Sequence, residues 1–484
     1  MRRHIPTRLL LLLIGVLGCT DQTSRLPAAE RPNIVMIISD DQTFSDLGFM
    51  GNSVVQTPNL DALARRSARF THGYVPSSVC RPSLVTLLTG LYPHQHGVYF
   101  NHPPPGFSGL TKSPTIDRKE FERLRHRATK FVRDVPTLPR ILAENGYRCL
   151  QTGKYWEGHY RNAGFTDGMT TARPTPGATY GNKALANGQQ VAHGNGDAGL
   201  AIGRETMKPI RDFLASIDDQ PFFIWYAPFL PHLPHNSPEH FENLYPKNLS
   251  PHLRKYYAAC SQFDQTVGTL MENVEAASKR DTVYVFVIDN GFTPDPDQPM
   301  RDGHGFNYTS RSKRSPFEQG LRTPILIAWD GHVVPVTCTS LCSSVDIMPT
   351  LLEAVEIDAP ASLPGRSLLS VATAQKTELD PEPVFGAIYP GDASVLDNPS
   401  ADVAYRWVRD QNFKLIVPHS TKSSKQGKDP GKRPWGDYLS PKPHLFDLSA
   451  DPNEQHNLAQ QENHAKVLAD LTQKLNDWWT PNPR

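Results

Sequence analysis

Asp40 and Asp41 are adjacent carboxylates, and burying two such groups side by side is costly unless a cation neutralises them. With Asp289 and the side-chain oxygen of Asn290 they make an all-oxygen set, suited to a hard divalent ion such as calcium or magnesium. Softer metals would call for histidine or thiolate. Cys80 stands in Val79-Cys80-Arg81-Pro82-Ser83-Leu84, which runs into Val85-Thr86-Leu87-Leu88-Thr89-Gly90. Pro82 suits the first position of a helix, and residues 82–89 read as one short buried helix. The Cys80 side chain then sits at a helix N-terminus, where free N–H groups and the dipole favour an anion. Taken singly, these residues have ordinary readings. An aspartate after a strand is more often a cap or turn residue, a lone cysteine an inert buried thiol, and a lysine such as Lys154 a solvated charge. His232, in Pro231-His232-Leu233-Pro234-His235, reads in the same way as a loop residue satisfied by backbone.

The elements that must carry these residues change the odds. Residues 33–38 form a short apolar run rich in β-branched side chains, a buried parallel strand with Asp40 and Asp41 at its carboxyl end. Residues 147–151 lead to Gly153-Lys154, residues 221–226 run out at Pro231-His232, and residues 282–288 run directly into Asp289-Asn290-Gly291. Helical stretches at 57–69, 135–145, 253–277 and 345–355, and a further strand at 324–329, alternate with them. The alternation predicts an α/β fold with a large, mostly parallel sheet sandwiched by helices. In such sheets ligands bind beyond the carboxyl ends of the strands. Four strands each delivering a charged or metal-competent group to that edge favour the functional reading over four separate turns.

Several stretches together resemble the type I, formylglycine-dependent sulfatases of the alkaline phosphatase superfamily. They are Arg31-Pro32-Asn33-Ile34 with Asp40-Asp41, Thr57-Pro58-Asn59-Leu60-Asp61, the Cys80 run and Thr89-Gly90-Leu91-Tyr92-Pro93. Thr152-Gly153-Lys154, Pro231-His232, Asp289-Asn290-Gly291 and Phe317-Glu318-Gln319-Gly320-Leu321-Arg322-Thr323-Pro324 continue the match. Leu445-Phe446-Asp447-Leu448, Asp451-Pro452-Asn453-Glu454 and Asn457-Leu458 close it, so the resemblance covers nearly the whole mature chain. It implies that a formylglycine-generating enzyme oxidises Cys80 to formylglycine. It also implies that calcium, with magnesium second, is held by Asp40, Asp41, Asp289, Asn290 and the modified Cys80. In the implied reaction one hydroxyl of the hydrated aldehyde attacks a sulfate ester with help from Asp289. Lys154 and Lys313 bind the remaining oxygens, and His232 protonates the leaving alcohol. The second hydroxyl then expels sulfate. Two positions depart from the family pattern. The arginine of C-x-P-S-R is Leu84, and the histidine of G-K-W-H is Trp156 in Gly153-Lys154-Tyr155-Trp156. Arg81 is the candidate to replace the missing guanidinium, and His304 the candidate to replace the missing base.

The rest of the chain sets bounds. Its 484 residues allow one large domain with a smaller one, placed here at 30–375 and 376–484. The C-terminal part reads as a small antiparallel sheet (407–409, 414–417 and 445–448) with a helix at 465–479, interrupted by a basic loop at 419–434. A net charge of +1 gives no global field for nucleic acid or a membrane surface. Arg2, Arg3 and Arg8 followed by the apolar residues 9–17 make residues 1–29 an export signal, too short to span a bilayer. Two processing sites compete: a lipobox-like Val16-Leu17-Gly18-Cys19, giving a lipid anchor, and Ala28-Ala29, giving a soluble periplasmic or extracellular protein. Cys338-x3-Cys342 reads as structural, and the basic stretch 102–134 as a solvated helix face. The leading function is hydrolysis of sulfate esters on a sulfated carbohydrate. The alternatives are a phospho- or phosphonate-ester hydrolase of the same superfamily and a catalytically silent glycan-binding protein.

Overall fold

Uninterrupted runs of β-branched and aromatic residues make the centre of this molecule, because both faces of its main sheet are covered. The computed structural model describes residues 31–177, 181–192, 197–295, 308–389, 395–419 and 442–482. The export segment with Cys19, His304 and nearly all of the basic loop 419–434 lie outside the described residues.

In chain order the strands are β1 (Asn33–Ser39), β2 (Ala68–Tyr74), β3 (Arg148–Gly153), β4 (Asp167–Gly168), β5 (Asn182–Ala184), β6 (Gln190–Ala192), β7 (Phe222–Ala227), β8 (Thr282–Ile288), β9 (Arg322–Ala328), β10 (Val336–Cys338), β11 (Cys342–Ser343), β12 (Val384–Ile388), β13 (Tyr405–Asp410), β14 (Phe413–Pro418) and β15 (His444–Asp447). The main sheet has nine strands in the order β10-β2-β9-β8-β1-β7-β3-β4, with β11 continuing beside β2. The four central strands β8, β1, β7 and β3 run parallel to one another, whereas β9 is antiparallel to both β8 and β2. Alternate residues serve opposite layers. Ile34, Met36 and Ile38 face the helices Cys80–Thr89 and Ile347–Ala354, while Val35 and Ile37 face the helices Pro58–Arg65 and Pro251–Ala277. A four-stranded antiparallel sheet, β12-β13-β14-β15, carries the helix Ala465–Trp478 on one face through Leu471 and Leu475. Trp407, Ile416 and Phe446 of this sheet pack against Tyr74, Phe317 and Leu321 of the larger unit. No helix among the described residues is long and apolar enough to cross a membrane.

Two local expectations are corrected. The helix expected over 57–69 ends at Arg65, and its last residues belong to β2, a strand whose polar Thr71-His72 stretch and register shift between Phe70 and Gly73 hide its period. The helix expected from Pro82 begins at Cys80 itself, which places Pro82 in the first turn rather than at the first position. Strand β12 was not anticipated.

Two glycines permit the sheet edge to close. A Cβ on Gly153 (φ 74°) would lie 1.8 Å from the carbonyl oxygen of Ala227, and one on Gly291 would lie 1.7 Å from that of Gln319. Gly291→Ala therefore has to push backbone against backbone. It is expected to lower unfolding free energy by about 1–3 kcal/mol, measured by denaturant titration; an unchanged midpoint would contradict the packing described.

Candidate active site

The parallel register brings the ends of β8, β1, β7 and β3 to one line. Ser39 pairs with Ile288 and Gly153 with Ala227, so Asp40, Asp289 and Lys154 are the next residues at a common edge. The amide of Asp40 donates to the carbonyl of Leu230 at 3.0 Å, which draws the His232 loop alongside. Asp41 adopts a left-handed backbone (φ 62°), unusual for a residue with a side chain, and its amide donates to Asp289 Oδ1 at 3.0 Å.

Cys80 opens its helix above this edge and is 1% exposed. Its sulfur lies 3.8 Å from Asp40 Oδ1, 3.7 Å from Asp41 Oδ1 and 3.2 Å from Lys313 Nζ. Lys313 donates to both oxygens of Asp41, at 2.6 and 2.5 Å, and Lys154 donates to Asp40 Oδ1 at 2.7 Å. Asn290 Nδ2 donates to Asp41 Oδ1 at 2.7 Å. His232 holds its Nδ1 2.6 Å from its neighbour's carbonyl, at Leu233, which leaves Nε2 facing Asp41 Oδ2 at 3.3 Å. Atoms of Asp40, Asp41, Cys80 and His232 that can ligate a metal all lie within 4.8 Å of one another.

The electrostatics divide the two aspartates. Burial pushes the Asp40 carboxyl up, and Lys154 offsets only part of that. Burial also pushes Asp41 up, but Lys313, His232 and Lys154 together outweigh it and hold Asp41 below the usual carboxylate range. Burial raises Asp289 against the pull of Lys154. It also raises the Cys80 thiol, despite the two lysines, and depresses His232, although Asp41 opposes that shift.

Asp289 is not among the four residues whose ligating atoms lie within 4.8 Å of one another; three acceptor oxygens at the same sheet edge, Asp40 Oδ2, Asp289 Oδ2 and Asn290 Oδ1, are buried and have no hydrogen-bond partner among the described residues. Unsatisfied buried oxygens are uncommon and ask for a cause. Supplied by carboxylate and amide groups that follow β1 and β8 at the same sheet edge, they suit a hard cation.

Arg81 corrects one expectation. Its guanidinium turns away from Cys80 and forms a bidentate pair with Glu157, Nε–Oε1 at 2.6 Å and Nη2–Oε2 at 2.8 Å, with neither side chain more than 1% exposed. It also donates to the carbonyl of Ala128 at 2.8 Å. Arg81 is therefore committed and does not stand in for the family arginine. The two departures from the family pattern are neighbours: Leu84 and Trp156 line the same small cavity, whose wall includes Arg81 and Glu157. His102 stacks on the Trp156 ring at 5.5 Å between centroids. Lys154 extends between Trp156 and Phe229, 5.8 and 5.5 Å from their ring centres.

Sequence reasoning missed Arg204. This side chain organises the His232 loop, donating to the carbonyls of Phe229 and His232, each at 2.6 Å, and to Asn236 Oδ1 at 2.8 Å. Nothing in the local sequence marks it, because its partners lie more than twenty positions away. The basic stretch places Arg118–Ala128 on a helix whose Arg123 and Arg118 pair with Glu120 and Glu122 at the surface, as expected of a solvated face, whereas Arg125 is buried and donates to the carbonyl of Ala192 at 3.2 Å. The five described cysteines are buried and free.

Known proteins resemble this chain over most of its length. Human (Homo sapiens) arylsulfatase A is 28% identical over 467 residues, spanning 90% of this chain and 84% of that protein. Human N-sulphoglucosamine sulphohydrolase is 25% identical (92% and 89% covered), and an ulvan-active sulfatase of Formosa agariphila 24% identical (96% and 85%). Among solved structures, one in complex with its substrate D-glucosamine-2-N,6-O-disulfate superposes with a TM-score of 0.64 at 18% identity, covering 93% of this chain and 97% of that one. The PsFucS1 sulfatase of Pseudoalteromonas sp. gives 0.63 at 17%, covering 93% and 90%. At such identities the superpositions speak for the fold alone. A family model described as N-sulphoglucosamine sulphohydrolase, C-terminal, matches residues 306–426. The model described as Sulfatase matches residues 32–357, more than half of the sequence and every element of the edge just described, and the chain belongs to that family.

Proposed function

We propose that this sulfatase removes sulfate from a sulfated carbohydrate outside the cytoplasm, using formylglycine made from Cys80 by a formylglycine-generating enzyme, with calcium at the oxygen cluster. The observation that carries the reading is the meeting of Cys80 Sγ with Lys313, Asp40 and Asp41 beside three buried oxygens that lack partners. A thiol held neutral by burial is a poor nucleophile, which favours chemistry on a modified side chain over a thiolate mechanism. The hydrated aldehyde supplies an oxygen nucleophile and a second hydroxyl to release the product. Asp40, Asp41, Asp289, Asn290 and the modified Cys80 would hold the calcium, which when bound would supply positive charge to the sulfuryl oxygens.

The remaining roles fall to the chain's own side chains. Lys154 and Lys313 bind the outer oxygens of the sulfate, a task suited to two buried ammonium groups that already face carboxylate oxygens. Asp289 takes the proton of the attacking hydroxyl. His232, its Nδ1 fixed on the Leu233 carbonyl, presents Nε2 to the leaving alcohol and gives it a proton only from its charged form, which the facing Asp41 favours against the effect of burial. The carbohydrate substrate is supported by relatives named as an ulvan-active sulfatase and N-sulphoglucosamine sulphohydrolase. Export is supported by the basic and apolar N-terminal segment, with Cys19 lipidation or cleavage after Ala29 as its two processing routes.

Matured protein is expected to release inorganic sulfate from a nitrophenyl sulfate and then from sulfated mono- and oligosaccharides. Turnover of nitrophenyl phosphate alone would point instead to a phospho- or phosphonate-ester hydrolase. Sugar and calcium binding without turnover would mark a silent glycan-binding protein, the outcome that Leu84 and Trp156 would explain. The metal assignment has its own test. Calcium at about 100 times its dissociation constant is expected to stabilise the fold by about 2.7 kcal/mol over chelator-treated protein in thermal unfolding. An unfolding midpoint insensitive to both calcium and magnesium would remove the cation from the account.

A further inference from the structure

The turn Asp451-Pro452-Asn453-Glu454 reaches back from the C-terminal sheet to the loop that carries Lys313, and the contact is built from charge. Asp451 closes the turn: its carbonyl accepts from the amide of Glu454 at 3.0 Å, and its carboxylate from the amide of His456 at 2.7 Å. Glu454 takes a left-handed backbone (φ 53°), which a residue with a side chain adopts only where its surroundings impose it. So shaped, the turn presents two carbonyls to Arg311, whose Nη2 donates to Asn453 at 2.9 Å and to Glu454 at 2.7 Å. The Glu454 carboxylate is 3% exposed; its Oε2 accepts from the amide of Glu318 at 2.8 Å. Lys414 sits between two acids, 2.9 Å from Glu454 Oε1 and 3.0 Å from Glu318 Oε1, and Tyr74 donates to Glu318 Oε2 at 2.6 Å.

Arg311 and Glu318 bracket Lys313. On the other side, the amide of Arg314 donates to the carbonyl of Ser78 at 2.9 Å, and Ser78 Oγ donates to the carbonyl of Ser315 at 2.7 Å. Ser78 is two residues before Cys80. The segment 311–318 is thus held at one flank by the loop leading to the nucleophile and at the other by the C-terminal turn, with Lys313 between the two anchors. Buried ion pairs are a poor source of net stability, and Phe317 and Phe446 already give this seam an apolar core. What the network does provide is geometry, since Glu454, Glu318, Lys414 and Arg311 tie the turn to both ends of the segment through named short contacts.

We infer that Glu454 and Arg311 are positioning residues of the active site, which set where Lys313 Nζ meets Cys80 and Asp41. The inference rests on the reading that Lys313 binds the sulfate. The C-terminal turn, distant in sequence from every candidate catalytic group, is on this account part of the site's construction.

The test uses Arg311→Ala, at a side chain about one third exposed, and Glu454→Gln, which keeps shape and removes charge. Each is expected to lower kcat/KM on a nitrophenyl sulfate by about 10- to 100-fold, the scale of an ångström-sized misplacement. Neither is expected to add to the loss already caused by Lys313→Ala. A crystal structure of the Arg311→Ala protein should show Lys313 Nζ displaced from Cys80. Wild-type kcat/KM per folded molecule in both variants, or losses that add fully to that of Lys313→Ala, would overturn the inference. If the wild type hydrolyses no sulfate ester, the sulfatase mechanism falls instead. The position of Lys313 in the Arg311→Ala crystal then still decides: displaced, the clamp stands; unmoved, it does not.

Discussion

Cys80→Ala, produced alongside a formylglycine-generating enzyme, is expected to lose at least about 10⁴-fold in kcat, since the group that supplies the nucleophile is gone. Sulfate release measured on matched preparations reads this directly. The expectation is specific to chemistry, because the substitution spares everything around it. Lys154 and Lys313 keep their carboxylate partners, and the four oxygen residues keep their backbone positions at the sheet edge. A small group is removed from a site that is already 1% exposed and the four oxygen residues stay, so the protein should still fold and should still be stabilised by calcium, though less than the matured wild type. A variant within tenfold of wild-type turnover would place the nucleophile elsewhere.

Lys154→Met tests the other half of the site. Methionine keeps much of the stem that runs between Trp156 and Phe229 but removes the charge that lies 2.7 Å from Asp40. Losing one positive donor aimed at the transferring group is expected to lower kcat/KM by about 10²–10³-fold. The same substitution leaves Asp40 buried without its ion-pair partner, a change that typically costs about 3–5 kcal/mol in the absence of a compensating cation. The pH dependence follows from the sign of the shift. Burial already raises Asp40, and without Lys154 it rises further, so the folded variant binds a proton that the unfolded chain releases. Its stability is therefore expected to fall as pH rises from the ordinary carboxylate range towards neutrality, and calcium should reverse the loss. Denaturant titrations at several pH values, with chelator and with calcium, check both statements. A uniform loss at all pH values would contradict the assignment of Asp40 as the uncompensated group.

The edge that carries these groups was legible in the sequence for a simple reason. Strands buried on both faces must be apolar throughout, so β1, β7 and β8 stand out as unbroken runs, and the first polar residues after them are the ones at the edge. What was not legible has physical causes too. Strand β2 lies near one end of the sheet, loses its alternation at Thr71-His72 and follows a helix without a clear stop, so its first residues read as more helix. Arg81 sits beside Cys80 in sequence, but its partner Glu157 lies 76 positions away, and no local pattern tells which way a side chain in the first turn of a helix points. The network of Glu318, Lys414 and Glu454 is hidden for the same reason. Each residue reads alone as a surface charge, and only the docking of the C-terminal sheet makes them a buried set.

The most direct measurement is mass spectrometry of the peptide containing Cys80, taken from protein whose sulfate-ester turnover has been measured in the same preparation. Formylglycine at position 80, in proportion to the active fraction, is the predicted result. Full turnover by a preparation whose Cys80 is entirely an unmodified thiol would contradict the central claim.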